Sequence, residues 1–497
     1  MFIITYREEA RFSENELVQL AQRTPRFRQL HDLLQVVCAD ARVQLAVRHD
    51  LVPWRTRAAT RGAPALAANV TICVAVLRRL TPALAPGASV SWSYRTTMQE
   101  LSVSAGWRWV CQLYLERMPN FRTIQNREAR LRPKTIRLIH EIVVELGSRL
   151  GVTQARKLRL DGSVTETNIH YPTDSGLLDV SARVLSRLVH QARELLQPRS
   201  VVDKQWFRDR HRQAHHLARD ISRVSRSKAK NTAKSSLKLY KKLLAVVQTL
   251  LTQVAEIQPR LRQLHDPSAD GLNENLDHYL PLVQRVIVQT QTRVLHGKPA
   301  AASEKVLSLF EPHTALICRG KAKPKDTEFG RKVWYAEVDG GLVSEYRLLK
   351  GNPDEAPLLI PSLRYHCQIF GKPPQEVCGD RGIHSPNNEQ QAQALGVKHV
   401  SLPQPGYKTN SRRNHERQPW FRTAQRFRNG IEGRISQLRR ARHLDRCLAH
   451  GEVGMERWIG WGIIANNLAT IAQFLIKHHR YVRASHRIIK CDFLDTN

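Results

Sequence analysis

Acidic residues are scarce in this chain: 44 Asp and Glu stand against 78 Lys and Arg over 497 residues, leaving a formal charge of +34. The surplus runs through the chain and is not confined to a tail, so a polyanion is the natural partner. Cysteine is sparse too. The eight cysteines, at 38, 73, 111, 318, 367, 378, 447 and 491, form no CxxC pair and keep no regular spacing. That argues against a disulfide framework and reads as free thiols in a reducing cytosol. The opening MFIITYREEARF lacks both the cationic start and the apolar core of a signal peptide. Long apolar runs are wanting except for RWIGWGIIANNLATIAQFLIK, which contains Asn466, Asn467 and Gln473. Its large residues Trp458, Trp461, Ile464, Leu468, Ile471 and Leu475 recur at helical spacing. It is expected to be a buried helix beneath the basic helix of residues 425–442, not a membrane span.

That basic helix, QRFRNGIEGRISQLRRAR, carries a single carboxylate, Glu432. Arg428, Glu432 and Arg439 fall on one helical face. An isolated acid among arginines is either an ion-paired surface Glu or a metal-binding acid flanked by phosphate contacts. The second reading needs two further acids. In RKLRLDGSVTETNIHYPTDSGLL the alternation of Leu158 and Leu160 predicts a short strand ending at Asp161. In EVCGDRGIHSPNN a short apolar run ends at Asp380, followed by Arg381-Gly382. Two acids on strand ends and one on a helix can converge on a pair of divalent ions, the arrangement for in-line phosphoryl transfer.

The order Asp161, Asp380, Glu432 and the words around it resemble a DDE-type bacterial insertion-sequence transposase of the ISNCY-type group. The phrases that carry the resemblance are DGSVTETNIHYPTDSGLL, SLFEPHT, FGRKV, LKGNP, GDRGIHSPNN, RNGIEGRISQLRR and WGIIANNLA. The family's helix signature runs Tyr, two residues, Arg, three residues, Glu, six residues, Lys. Arg428 and Glu432 match it; Arg439 stands where Lys is usual and Gln425 where Tyr is usual. The resemblance implies an α/β fold with an RNase H-like mixed five-stranded sheet. A large helical insertion interrupts it after the first strand, and an all-helical domain precedes it. It also implies two Mg2+ ions, replaceable by Mn2+, held by Asp161, Asp380 and Glu432. The partners would be double-stranded element ends and target DNA, with a homodimer in a synaptic complex. The setting would be the cytoplasm, at the nucleoid, with no membrane involved.

The expected domains are 1–150 (helical, DNA end binding), 151–178 with 311–480 (catalytic), 179–310 (basic insertion) and a tail at 481–497. Ser13 and Glu16 form a capping-box pattern, and Pro/Gly clusters at 62–64 and 82–87 divide the N-terminal region. Two short helices meeting near Ser104-Ala105-Gly106 permit a helix-turn-helix, with Trp107 and Trp109 read as core. After Pro172, Thr173 to Ser175 suit a helix start; Asp174 is read as a cap and the rival to Asp161. Asn168, His170 and Arg381 are expected beside the acids, orienting them.

Residues 199–242 hold 14 Lys and Arg against 3 Asp, with Trp206 and Phe207 among them. An excess so one-sided points to DNA backbone contact by Arg208, Arg212, Arg219 and Arg223. His211, His215 and His216 have metal-ligand spacing on a helix but no acidic or cysteine partner in sequence, and read as solvated. Leu237, Tyr240, Leu244, Val247, Leu251 and Val254 make an a/d-type seam, packing within the insertion or against a second subunit.

Asp339-Gly340-Gly341 is a hairpin signal, which makes Asp339 a turn former. A short helix over Asn387 to Leu395 and a strand from Val397 to Leu402 follow Asp380. From Lys408 to Arg442 there are 11 Lys and Arg against Glu416 and Glu432. Lys408, Arg412, Arg413, Arg428, Arg434, Arg439 and Arg440 are expected on the phosphate backbone. Trp420 is expected to stack on a base or to anchor the helix start, with Phe421 beside it. The expected reaction is strand cleavage that frees a 3′-OH, then attack of that 3′-OH on target DNA. No Tyr or Ser nucleophile motif competes. An RNase H-fold nuclease without joining, or a decayed and purely DNA-binding relative, would share the basic helices.

Overall fold

A computed structural model describes residues 19, 24–51, 66–80, 93–114, 117–196, 208–227, 231–318 and 327–478. The capping-box pattern at Ser13, the clusters at 62–64 and 82–87, Trp206, Phe207 and the tail at 481–497 lie outside the described residues. The chain forms two compact units. One takes the residues up to Thr165, Lys332–Leu349 and those from Pro353 onward; the other takes Glu166–Arg331 and Lys350–Asn352.

The first unit opens with α1 (Pro25–Ala39), α2 (Ala41–Leu51), α3 (Ala68–Leu80), α4 (Tyr94–Val103), α5 (Ala105–Val110), α6 (Phe121–Arg130) and α7 (Pro133–Arg149). These helices do not form a domain of their own. Leu30, Leu34, Val74, Leu77, Ile139 and Val143 share one buried core with Leu158, Leu160, Trp334, Val377 and Val400 of the sheet. The predicted boundary near residue 150 is therefore a topological one, with a continuous core across it. Ser104 caps α5 by accepting from the Trp107 amide at 3.3 Å, so the two short helices meet where the sequence placed them. A recognition helix is not what results. The second helix has six residues, and both its tryptophans are buried, Trp107 against Phe27 and Trp109 stacked on His31.

The chain has a mixed seven-stranded sheet: β1 (Lys157–Thr167), β2 (Ala315–Cys318), β3 (Thr327–Val338), β4 (Val343–Leu348), β5 (Glu376–Cys378), β6 (His399–Ser401) and β7 (Arg446–Cys447). The order is β2-β3-β1-β5-β6, with β4 paired to β3 and β7 to β1. β3 and β4 are antiparallel, whereas β1/β5 and β5/β6 are parallel. The β3–β4 hairpin turns at Gly340 and Gly341, whose φ values of +82° and +81° suit glycine. Asp339 accepts there from the Gln154 and Lys157 amides, both at 3.1 Å, the turn-forming role expected of it. Alternation along β3 sends Val333 and Tyr335 to one core and Trp334, Ala336 and Val338 to the other.

Crossovers between parallel strands are helical: α12 (Leu359–Phe370) leads into β5, and α13 (Pro386–Ala394) joins β5 to β6. After β6 come α14 (Asn410–Arg417), α15 (Pro419–Ala441) and α16 (Gly451–Lys477). α15 is the basic helix, and it buries Phe421, Ala424, Ile431 and Leu438. α16 is long and apolar enough to cross a membrane, but 78% of its most apolar window is buried within the protein. It packs chiefly on α1, α3 and α7, and only lightly beneath α15, which corrects the predicted placement. Asn467 shows why this apolar helix holds polar residues: its amide donates to the Val343 carbonyl at 2.8 Å and accepts from the Val343 amide at 3.0 Å.

Among its described residues the second unit is mainly helical, with the last two residues of β1, β2 and the first residues of β3 as its strands: α8 (Asp174–Leu196), α9 (His211–Arg226), α10 (Thr232–Arg262) and α11 (Pro267–Thr290). Thr173 accepts from the Gly176 amide at 3.1 Å and starts α8. Asp174 pairs with Arg293, a structural bond that removes it as a rival metal ligand. The α10 seam closes inside this unit, since Tyr240, Leu244, Val247 and Val254 share a core with Leu178, Leu185 and Leu188 of α8.

Candidate active site

Asp161 lies in mid-strand, not at a strand end. β1 runs on to Thr167 because Val164, Thr165 and Thr167 favour extended backbone. Asn168 and His170, expected beside the acids, lie exposed seven and nine residues farther on, past the end of the strand and in the second unit.

Asp380 follows β5 and caps a short 3-10 turn, Arg381–Ile383, by accepting from the Gly382 amide at 2.9 Å. Arg381 is exposed directly after it. The third member of the group is Glu355, just before α12. Oxygen atoms of Asp161, Glu355 and Asp380 lie within 4.8 Å of one another. Lys332 holds Glu355 in place with a 2.9 Å ion pair. Gly162 makes the approach possible: a Cβ there would stand 2.3 Å from Glu355 Oε1. The sequence reading missed Glu355. Its signal was an acid in the LKGNPDE loop directly after a hairpin, in a chain with few acids to place.

Crowding of carboxylates appears in the protonation of Asp161. Burial pushes its pKa up to about 6; Arg428 opposes this, while the charges of Glu355 and Asp380 add to it. The three carboxylates could hold a metal ion, whose charge would relieve such a cluster.

Glu432 is not in this group. Its side chain is 69% exposed and bonds Arg428 at 3.1 Å, and Arg428 reaches on to Asp161 at 3.2 Å. The i,i+4 pairing on α15 draws the carboxylate toward the arginine, so a guanidinium stands between Glu432 and the other acids.

α15 is moored closely to β1. Glu337, fully buried, accepts from Arg159 Nε at 2.9 Å and from Arg434 Nε at 2.9 Å. Arg159 also donates to the Phe427 carbonyl at 2.6 Å. Gly430 leaves room for this, since a Cβ there would fall 2.2 Å from Arg159 Nη1. Gln425, in the place of the expected Tyr, donates to the Ser401 carbonyl at 2.9 Å and Oγ at 3.0 Å. It ties the helix to the strand ends beside Asp380.

Several arginines assigned to DNA are engaged internally. Arg434 serves Glu337, Arg412 forms a two-pronged pair with Glu389 and also bonds Glu416, and Lys408 pairs with Glu416. Glu337 and Glu389 lie 97 and 23 residues from their arginines and Glu416 is local to both of its partners, but in each case the charge is already paired, so these three hold the structure together. Arg439 is half-buried, with its charge felt at Tyr335. Arg440 is exposed and bonded to Ser436, and Arg413 is exposed near the Tyr407 ring. Trp420 donates to Gln418 at 3.1 Å and packs on His399 and His415, anchoring the helix start. In the second unit Arg208, Arg212, Arg219 and Arg223 are exposed, and Arg223 pairs with Asp220 at 3.5 Å.

An open cleft of about 430 Å³ adjoins Asp380. Arg381, Arg422, Arg426 and Arg428 line it with Gln425 and Asn429, giving it a strongly positive wall. Comparison of the chain with protein-family models, with curated proteins and with solved structures gives no match.

Proposed function

We propose that this chain is a DNA transposase of the insertion-sequence type, acting by metal-dependent phosphoryl transfer on an RNase H-like core. The observation that carries the reading is the convergence of Asp161, Glu355 and Asp380 beside a cleft walled by arginines. The strand order supports the fold assignment: β1 has hairpin-bearing β3 on one side and parallel β5 and β6 on the other, with α15 after the last of these. The reading rests on the acids, the strand order and the sequence motifs, not on any matched relative.

Asp161, Glu355 and Asp380 would hold Mg2+, with Mn2+ as a substitute. When bound, the ions activate the attacking oxygen and neutralise the leaving one. The chain's own residues do the positioning. Arg422 and Arg426 attract the phosphate backbone into the cleft, Gln425 keeps α15 against the Asp380 strand, and Arg428 links Asp161 to Glu432. A phosphate entering the cleft offers Arg428 a second anionic partner and frees Glu432 to turn toward the acids. Coordinated cutting of two element ends calls for a homodimer.

The test is Mg2+-dependent cleavage and joining of DNA carrying the element's own flanking ends. The native chain is expected to cut and join. Asp161→Asn, Glu355→Gln and Glu432→Gln are expected to bind without cutting. Native cutting without joining would replace the reading with a nuclease. Equal binding with no cutting by any form would leave a purely DNA-binding protein. Full activity in Glu355→Gln would return Glu355 to a structural role.

A further inference from the structure

The second unit holds a cluster that the proposed chemistry does not use. Asp179 on α8 faces His211 and His215, which are one turn apart at the start of α9. His215 Nδ1 lies 3.1 Å from Asp179 Oδ2, and His211 Nε2 lies 3.8 Å from Asp179 Oδ1. One ligand atom from each residue falls within 4.8 Å of the others. Asp179 Oδ1 is itself inaccessible to solvent and has no hydrogen-bond partner, a costly state for a carboxylate oxygen. Tetrahedral Zn2+, with ligands at about 2.0–2.2 Å, sets its ligand atoms roughly 3.3–3.6 Å apart, within the spread seen here.

We infer that Asp179, His211 and His215 form a Zn2+-class site that clamps α9 to α8. The donors decide the metal. Two imidazoles and one carboxylate suit a borderline ion such as Zn2+, whereas the Asp161 group, all oxygen, suits Mg2+. The fourth position, open to solvent on the His215 side, takes water. The clamp fixes the helix that displays Arg212, Arg219 and Arg223. His216, next in sequence, is exposed and lies outside the group.

The test titrates Zn2+ into the full chain by calorimetry with Mg2+ in excess, and substitutes Co2+ to read coordination from its visible spectrum. The native chain is expected to take up one Zn2+ equivalent at this site and to give the intense band of four-coordinate Co2+. His215→Ala, His211→Ala and Asp179→Asn are expected to weaken that binding at least about a hundredfold and to lose the band, while His216→Ala keeps both. His215→Gln, neutral and of similar reach, repeats the test with less risk to folding, and far-UV circular dichroism checks each variant. Glu355→Gln is expected to leave Zn2+ binding unchanged. Unaltered uptake in His215→Ala and His215→Gln, a thiolate charge-transfer band, or no uptake by the native chain would overturn the assignment.

Discussion

Glu337→Gln tests how α15 is held over β1. The native carboxylate has no solvent exposure and is shared by Arg159 and Arg434, whose side chains are 12% and 15% exposed. Removing its charge leaves two guanidinium groups facing a neutral amide that can accept on one oxygen only. Breaking a buried ion pair from one side costs about 3–5 kcal/mol, and a residual hydrogen bond to Gln keeps the loss near the lower figure. For a unit of this size about 3 kcal/mol corresponds to a melting-temperature drop of roughly 4–5 °C. Urea denaturation followed by circular dichroism measures the loss directly, and two units can give two transitions, of which only the first unit's should move. Arg159→Met and Arg434→Met combined with Glu337→Met should recover part of it, because no buried charge is then left without its partner. A loss below about 1 kcal/mol for Glu337→Gln would mean that the buried carboxylate is not the mooring point.

Asp161→Asn gives a pH-dependent result whose sign follows from burial. The folded pKa of about 6 lies above the ordinary aspartate value of 3.8, so the ionised form penalises the fold, and stability is lost as pH rises between those values. In EDTA at pH 8 the Asn variant should therefore be more stable than the native chain by up to about 3 kcal/mol, with the gain vanishing near pH 4 in thermal melts. Arg412→Ala should lower stability by about 2–4 kcal/mol and leave the salt dependence of DNA binding unchanged. Arg422→Ala should do the reverse, reducing the slope of log affinity against log salt by about one with little effect on melting. Gln425→Ala should cost about 1–2 kcal/mol in urea denaturation, from the lost bonds at Ser401.

Local signals were legible where local chemistry decides the outcome. The Asp339-Gly340-Gly341 turn, the strand before Asp380, and the helices at 386–394 and 419–441 follow from glycine, alternation and periodicity. What depends on distant partners was not legible. Nothing near Glu355 in sequence reveals that Gly162 leaves space for it, and nothing near Arg412 reveals Glu389 opposite. A charge count therefore could not tell arginines that brace the protein from arginines left for a polyanion. Trp107 and Trp109 were readable as core, yet the burial of their helix against Phe27 and His31 came from α1. Asp179 is the same lesson for the histidines: their acid partner lies 32 residues before His211, on another helix.

Arg428 gives the proposed site a thermodynamic property beyond positioning. While it bridges Asp161 and Glu432, it acts as a built-in counterion that competes with any divalent ion for the same carboxylate. A phosphate that draws Arg428 away removes that competitor, so DNA should raise the affinity for Mg2+, and by linkage Mg2+ should raise the affinity for DNA by the same factor. Such reciprocity would keep the site poorly loaded until its nucleic acid arrives.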